Sequence, residues 1–178
     1  MKFTRMKWAI CGLCVLLLAA CSSGSSGGGG TPAAANSMSI TTTDSAGAKS
    51  TFTADNSNSI ISAYKNDVEN KTIVQICSDV DKDNDCSRLI IITIDGTTAQ
   101  KYSMNSPDSL TQIVYQDDET ETGILSHYMS SDGEVDVSEI GSTAGSAVKG
   151  AFTTTLACNS GCSGNITVTG NYNVALSQ

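Results

Sequence analysis

The sequence predicts an all-β protein: an antiparallel β-sandwich or open barrel of about 8–10 short strands behind a leader and a flexible tether. Three observations predict it. From residue 48 onward, runs rich in Thr, Ile, Val and Tyr recur about every ten residues. Clusters of Asp, Asn, Gly and Ser stand between them. No segment sustains the apolar period of an amphipathic helix.

Expected strands cover 48–55, 59–65, 71–78, 87–94 and 98–104, then 111–116, 123–129, 133–140, 146–157 and 164–176. Asp95-Gly96, between two β-rich runs, reads as a type I′ hairpin turn, which needs positive φ at both central residues. The acidic stretch "DDETE" at 117–121 reads as a solvated loop. Beyond the leader, Phe52, Phe152 and five tyrosines are the only aromatic residues. A thin aliphatic core of this kind leans on hydrogen bonds and cross-links.

The first twenty residues, "MKFTRMKWAICGLCVLLLAA", join a basic start (Lys2, Arg5, Lys7) to an apolar run from Trp8 to Ala20. That run is short for a membrane span and has the pattern of a secretory signal. It ends in Leu18-Ala19-Ala20-Cys21, followed by "SSGSSGGGG". This resembles the lipobox of bacterial lipoproteins, which implies cleavage before Cys21 and acylation of its thiol. Ser22 after the cysteine resembles lipoproteins sorted to the outer membrane of Gram-negative bacteria. Three segments follow: a signal peptide at 1–20, an acylated tether rich in Gly and Ser at 21–37, and a β domain at 38–178.

Loss of the leader removes three basic residues and no acidic one, shifting the net charge from −8 to −11. Such a chain repels phosphate backbones, so nucleic acid is excluded as a partner. The membrane would be reached through the lipid, because each buried methylene contributes about 0.8 kcal/mol.

Within the domain, "LIIITIDGTTAQKYSM", "SHYMSSDGEVDVSEIG", "VKGAFTTTLA" and "ITVTGNYNVAL" carry the texture of Gly-x-Tyr, Gly-x-Val-x-Val and Gly-x-Phe strands. The stretch 48–176 thereby resembles uncharacterised lipoprotein domains of Gram-negative envelopes. It departs from them at Gln100-Lys101, where a glycine is usual. The resemblance implies an antiparallel β domain on a lipid tether and brings no activity.

With Cys21 acylated, Cys77, Cys86, Cys158 and Cys162 remain, an even set in an oxidising compartment. Pairing Cys77 with Cys86 and Cys158 with Cys162 is favoured over the two other connectivities, because each pair flanks a turn. A zinc site is disfavoured, since the spacings are not the C-x₂-C pairs of zinc ribbons.

Between the first two cysteines, "CSDVDKDNDC" sets Asp79, Asp81, Asp83 and Asp85 on alternate positions. Curled by a disulfide, they would form a weak Ca2+ site; left apart, they form a solvated acidic turn. Both readings stand. The EF-hand pattern fails at Asn84, where glycine is needed, and at Ile90, where a bidentate glutamate is needed.

His127, the only histidine, falls in an expected strand. No G-x-S-x-G elbow lies with it in the β domain, and "GSTAGSAVKG" lacks the phosphate-loop order. Carboxylate pairs at Asp117-Asp118 and Asp132/Glu134 lack the aromatic-lined cleft a glycosidase needs.

The sequence is therefore read as non-enzymatic: an envelope module that binds or scaffolds a protein or polysaccharide partner. The alternatives are a calcium-stabilised adhesion or matrix module and a small envelope hydrolase. Replacing Cys21 by Ser is expected to abolish incorporation of radiolabelled palmitate and to move the protein from the membrane pellet to the soluble fraction.

Overall fold

A computed structural model describes residues 36–57, 59–80, 86–105, 108–117 and 126–177. Every regular element among them is a β-strand. In chain order these are β1 (Ser37–Thr43), β2 (Lys49–Asp55), β3 (Ser59–Asn66), β4 (Lys71–Val80) and β5 (Cys86–Ile94). Then follow β6 (Lys101–Ser103), β7 (Gln112–Asp117), β8 (Ser126–Ile140), β9 (Ala147–Ser160) and β10 (Ile166–Ala175). They form one antiparallel sheet, nearly closed into a barrel, in the order β2-β1-β10-β9-β8-β7-β5-β4-β3. The short β6 joins the edge of β8 beside β7.

Alternation explains the interior. Along β10, Ile166, Val168, Tyr172 and Val174 are buried, while Thr167, Thr169 and Asn171 face water. Stepping across the sheet from Ile166 passes through Leu156 and Ser130, whose hydroxyl accepts the Ile113 amide at 2.9 Å, and then through Ile113, Ile92, Val74 and Ala63. The path returns at Leu176, just past the end of β10 and ten residues farther along the chain than Ile166. That stagger is the shear a tilted barrel requires. The seam is sealed by the amide and hydroxyl of Ser177, each donating to the Ala63 carbonyl at 2.7 Å.

Two glycines make room for the only large rings on the inner faces of β9 and β10. Gly150 lies opposite Tyr172, and Gly170 lies opposite Phe152. A Cβ on Gly170 would sit 2.6 Å from Phe152 Cζ; one on Gly150 would sit 2.6 Å from the Asp136 carbonyl and overlap the Tyr172 hydroxyl. Each ring thus covers the gap the facing glycine leaves, and the arrangement is reciprocal.

Three expectations need correction. Residues 37–43, placed in the tether or left unassigned, form β1, bonded to both β2 and β10. The two runs expected at 123–129 and 133–140 merge into the single strand β8. "SSDG" bends β8 through a register shift between Ser130 and Asp132 and does not reverse it. Gly133 takes φ 132° there and lies tight against the Thr153 carbonyl.

Asp95-Gly96 is not a hairpin, because β5 pairs with β7 and β6 with β8. Asp95 accepts the Leu110 amide (3.2 Å), Gly96 accepts the Thr72 hydroxyl (2.8 Å), and the missing Cβ of Gly96 admits the Tyr102 ring. The calls on the leader, Cys21 and most of the tether lie outside the described residues, as does most of the acidic stretch 117–121, of which Asp117 alone is described.

Gly170→Ala is expected to lower stability by about 1–3 kcal/mol through overpacking against Phe152. In a Phe152→Ala background the same change should cost less, and urea midpoints of the four proteins in the cycle measure that coupling.

Candidate functional site

A charged cluster of the barrel interior sits at one mouth, where β5 and β8 begin and β7 ends. Arg88, near the start of β5, pairs in register with Asp117 at the end of β7. Its Nε lies 3.6 Å from Asp117 Oδ2, and the two side chains are only 16% and 23% exposed. The guanidinium also stands 5.1 Å from the ring centroid of Phe52 on β2, tying the far edge of the sheet to this cluster.

Tyr115 donates to Asp117 Oδ2 at 2.5 Å, and its ring stacks on that of Tyr128, centroids 6.1 Å apart. Around these groups opens a cleft of about 270 Å³, rimmed by Asp44 and Lys49 and floored by Ile166.

The electrostatics limit what this cleft can do. Burial, then the hydrogen bond to Asp117, raises the Tyr115 pKa far above that of a free phenol. Tyr128 is raised as well, by burial and then by the Asp117 charge. Both phenols keep their protons at neutral pH, so neither acts as a base or nucleophile there. Asp117 is engaged by Arg88 and Tyr115 together. The arrangement can hold a ligand by hydrogen bonds; it sets up no proton transfer.

Both disulfides lie near this mouth. Cys77 is joined to Cys86, with Cα atoms 5.3 Å apart, and Cys158 to Cys162, 5.7 Å apart. The first pair is not directly cross-strand: Cys77 faces Leu89, and Cys86 faces Val80. A flat ladder would separate positions three residues out of step by about 10 Å. The chain between Cys77 and Val80 must therefore curl to bring the sulfurs together.

Asp79 belongs to β4, but its side chain, and Asp81, Asp83 and Asp85 entirely, lie outside the described residues. Among the described residues no group of three His, Cys, Asp or Glu side chains could hold a metal ion.

The other residues singled out by sequence are dispersed. His127 lies half-buried on β8, its Nδ1 3.2 Å from Asn159 Nδ2. Asp132 accepts from Asn105, and Glu134 pairs with Lys101 at 3.1 Å. Asp118 is not among the described residues.

What sequence reasoning missed is the outer surface. On β1, β9 and β10 it is threonine-rich: Thr41, Thr43, Thr153, Thr167 and Thr169. On β3, β4, β5 and β7 it is richer in apolar side chains, with Ile60 and Tyr64 55% and 46% exposed and Ile73, Leu89, Ile91 and Val114 half-buried, set around Ser62 and an exposed Gln75. The signal was present in "LIIITI", apolar at five of its six positions, the kind of run found where a strand is covered on both faces. The Arg88–Asp117–Tyr115 cluster left no local signal, since register alone brings it together.

No protein-family model, curated protein or solved structure matches this chain.

Because Tyr115 and Tyr172 have pKa values raised by burial, the unfolded chain releases their protons first as pH rises. Their contribution is complete below about pH 10 and is lost as pH climbs through the raised values. Urea midpoints should therefore hold steady to about pH 10 and fall above it, with a shallower fall in Tyr115→Phe.

Proposed function

We propose that this protein is a lipid-anchored module of the bacterial envelope, sorted to the Gram-negative outer membrane, that works by binding and scaffolding. The observation that carries the reading is the apolar outer face of β3, β4, β5 and β7, which contrasts with the threonine-covered half of the same sheet. Large apolar side chains left exposed together on one face mark interaction surfaces. The occupant read here is another envelope protein presenting an apolar surface of its own. Anionic lipid headgroups fit this face poorly, because the chain without its leader carries a net charge of −11.

The interior supports the same reading. Its inward rows are filled by Ile, Val and Leu side chains, so a partner engages the outside of the barrel. The lipobox-like "LAAC" and the Gly/Ser tether after it support display of the domain away from the bilayer surface, at a root-mean-square reach of roughly 20–25 Å.

Photo-crosslinking residues at position 60 or 64 in intact cells should give one discrete adduct that is missing when the probe stands at position 169. Ile60→Glu/Tyr64→Glu should abolish the adduct while leaving the melting temperature within a few degrees. Equal labelling from both halves of the surface, or an adduct that survives the double substitution, would overturn the reading.

A further inference from the structure

The exposed edge of β2 is unlike the apolar face and concerns a different partner. Among the described strands β2 pairs with β1 alone, so its other edge closes no ladder. Lys49, Ser50, Thr51 and Thr53 are all exposed. The direction of the edge groups follows from the turn. The Asp44 amide donates to the Ala48 carbonyl at 3.0 Å, which makes 44/48 a hydrogen-bonded pair. In an antiparallel ladder such pairs alternate, so Thr42/Ser50, Ile40/Phe52 and Met38/Ala54 are bonded too. The amides and carbonyls of Lys49, Thr51 and Thr53 therefore point away from β1.

We propose that this edge pairs with the same edge of a second copy, antiparallel about a two-fold axis at Phe52. The segment "KSTFTAD" is self-complementary in that register. Lys49 falls opposite the partner's Asp55, Ser50 opposite its Ala54, Thr51 opposite its Thr53, and Phe52 opposite itself. Opposite charges, threonine pairs and aromatic pairs are the cross-strand combinations that stabilise a ladder, and a two-fold axis repeats each off-centre pair.

The register also matches the hydrogen-bonding direction. Thr51 and the partner's Thr53 would exchange outward-facing amides and carbonyls, while Phe52 stands at a non-hydrogen-bonded centre, where side chains approach most closely. Asp55 is held in place by accepting the Ser57 amide and hydroxyl at 2.7 and 2.5 Å. The strand carries none of the usual guards against edge pairing except Lys49, and in this register that lysine meets a carboxylate. No proline, bulge or inward-pointing charge interrupts it.

Sedimentation equilibrium of the full chain, in density-matched detergent, tests the proposal. The native protein is expected to follow a monomer–dimer equilibrium. Thr51→Pro removes an outward amide without touching the β1 ladder, and should be monomeric with both disulfides and the melting temperature retained. Lys49→Asp should weaken association about tenfold, since two attractive pairs become repulsive. Mixing it in equal amounts with Asp55→Lys should restore the dimer, because both pairs become attractive again. A native protein that stays monomeric at the highest concentration reached would overturn the proposal. So would a dimer indifferent to Thr51→Pro, or one weakened by Lys49→Asp that mixing does not restore.

Discussion

The two edges of this sheet are joined by three residues. β2 ends at Asp55 and β3 begins at Ser59, yet eight strand-to-strand steps separate them through the sheet. Laid flat, those steps would span roughly 38 Å at about 4.8 Å each. Four Cα–Cα links reach only about 15 Å. The sheet cannot lie flat, and the roll that brings its edges together creates the interior. Strand direction fixes the rest. Seven strands, from β3 round to β10, alternate in direction, so the seam between the first and last must be parallel, as the Ala63–Leu176 bridge is. β2 likewise runs in the same sense as β3, and the chain crosses from one edge to the other without reversing.

That closure sets the size of the side chains inside. A narrow interior suits Ile, Val and Leu and leaves little room for rings. Two of the rings that do enter, Phe152 and Tyr172, occupy space released by glycine on the neighbouring strand. The Tyr172 hydroxyl has no hydrogen-bond partner among the described residues, a cost of about 1–3 kcal/mol for a buried group. Toward the mouth, Arg88, Asp117 and Tyr115 engage one another. Their hydrogen bonds and the Phe52 contact close the end of the barrel where the sheet edges are farthest from a ladder.

Much of this was legible wherever a strand declares itself by alternation. "ITVTGNYNVAL" alternates along its whole length and becomes β10; "SIISAYK" becomes β3 almost residue for residue. β1 was obscured because "SMSITTT" follows the Gly/Ser/Ala tether without a break in texture. Asp95-Gly96 misled because a dipeptide that suits a turn also suits a site where a glycine must admit a ring. The disulfide partners were legible because each lies within a few residues of its mate. The mouth cluster was not, because Arg88 and Asp117 meet only once β5 and β7 pair, leaving β6 to the edge of β8.

The packed interior bears on where function can reside. A barrel that carries a ligand keeps its centre open or lines it with polar groups; here the inward row from Ile166 round to Leu176 is almost wholly aliphatic and shut. What the fold offers instead is surface, divided by chemistry. The threonine half hydrogen-bonds with water at little cost. The apolar half leaves Ile60 and Tyr64 in water, at roughly 25 cal/mol for each Å² of apolar area that a partner would cover. Neither side chain joins the core, so the exposed part of each adds nothing to the stability of the fold itself. On the reading proposed above, a partner completes that face, and recognition falls on the side of the barrel, on β3, the edge strand at which the sheet closes.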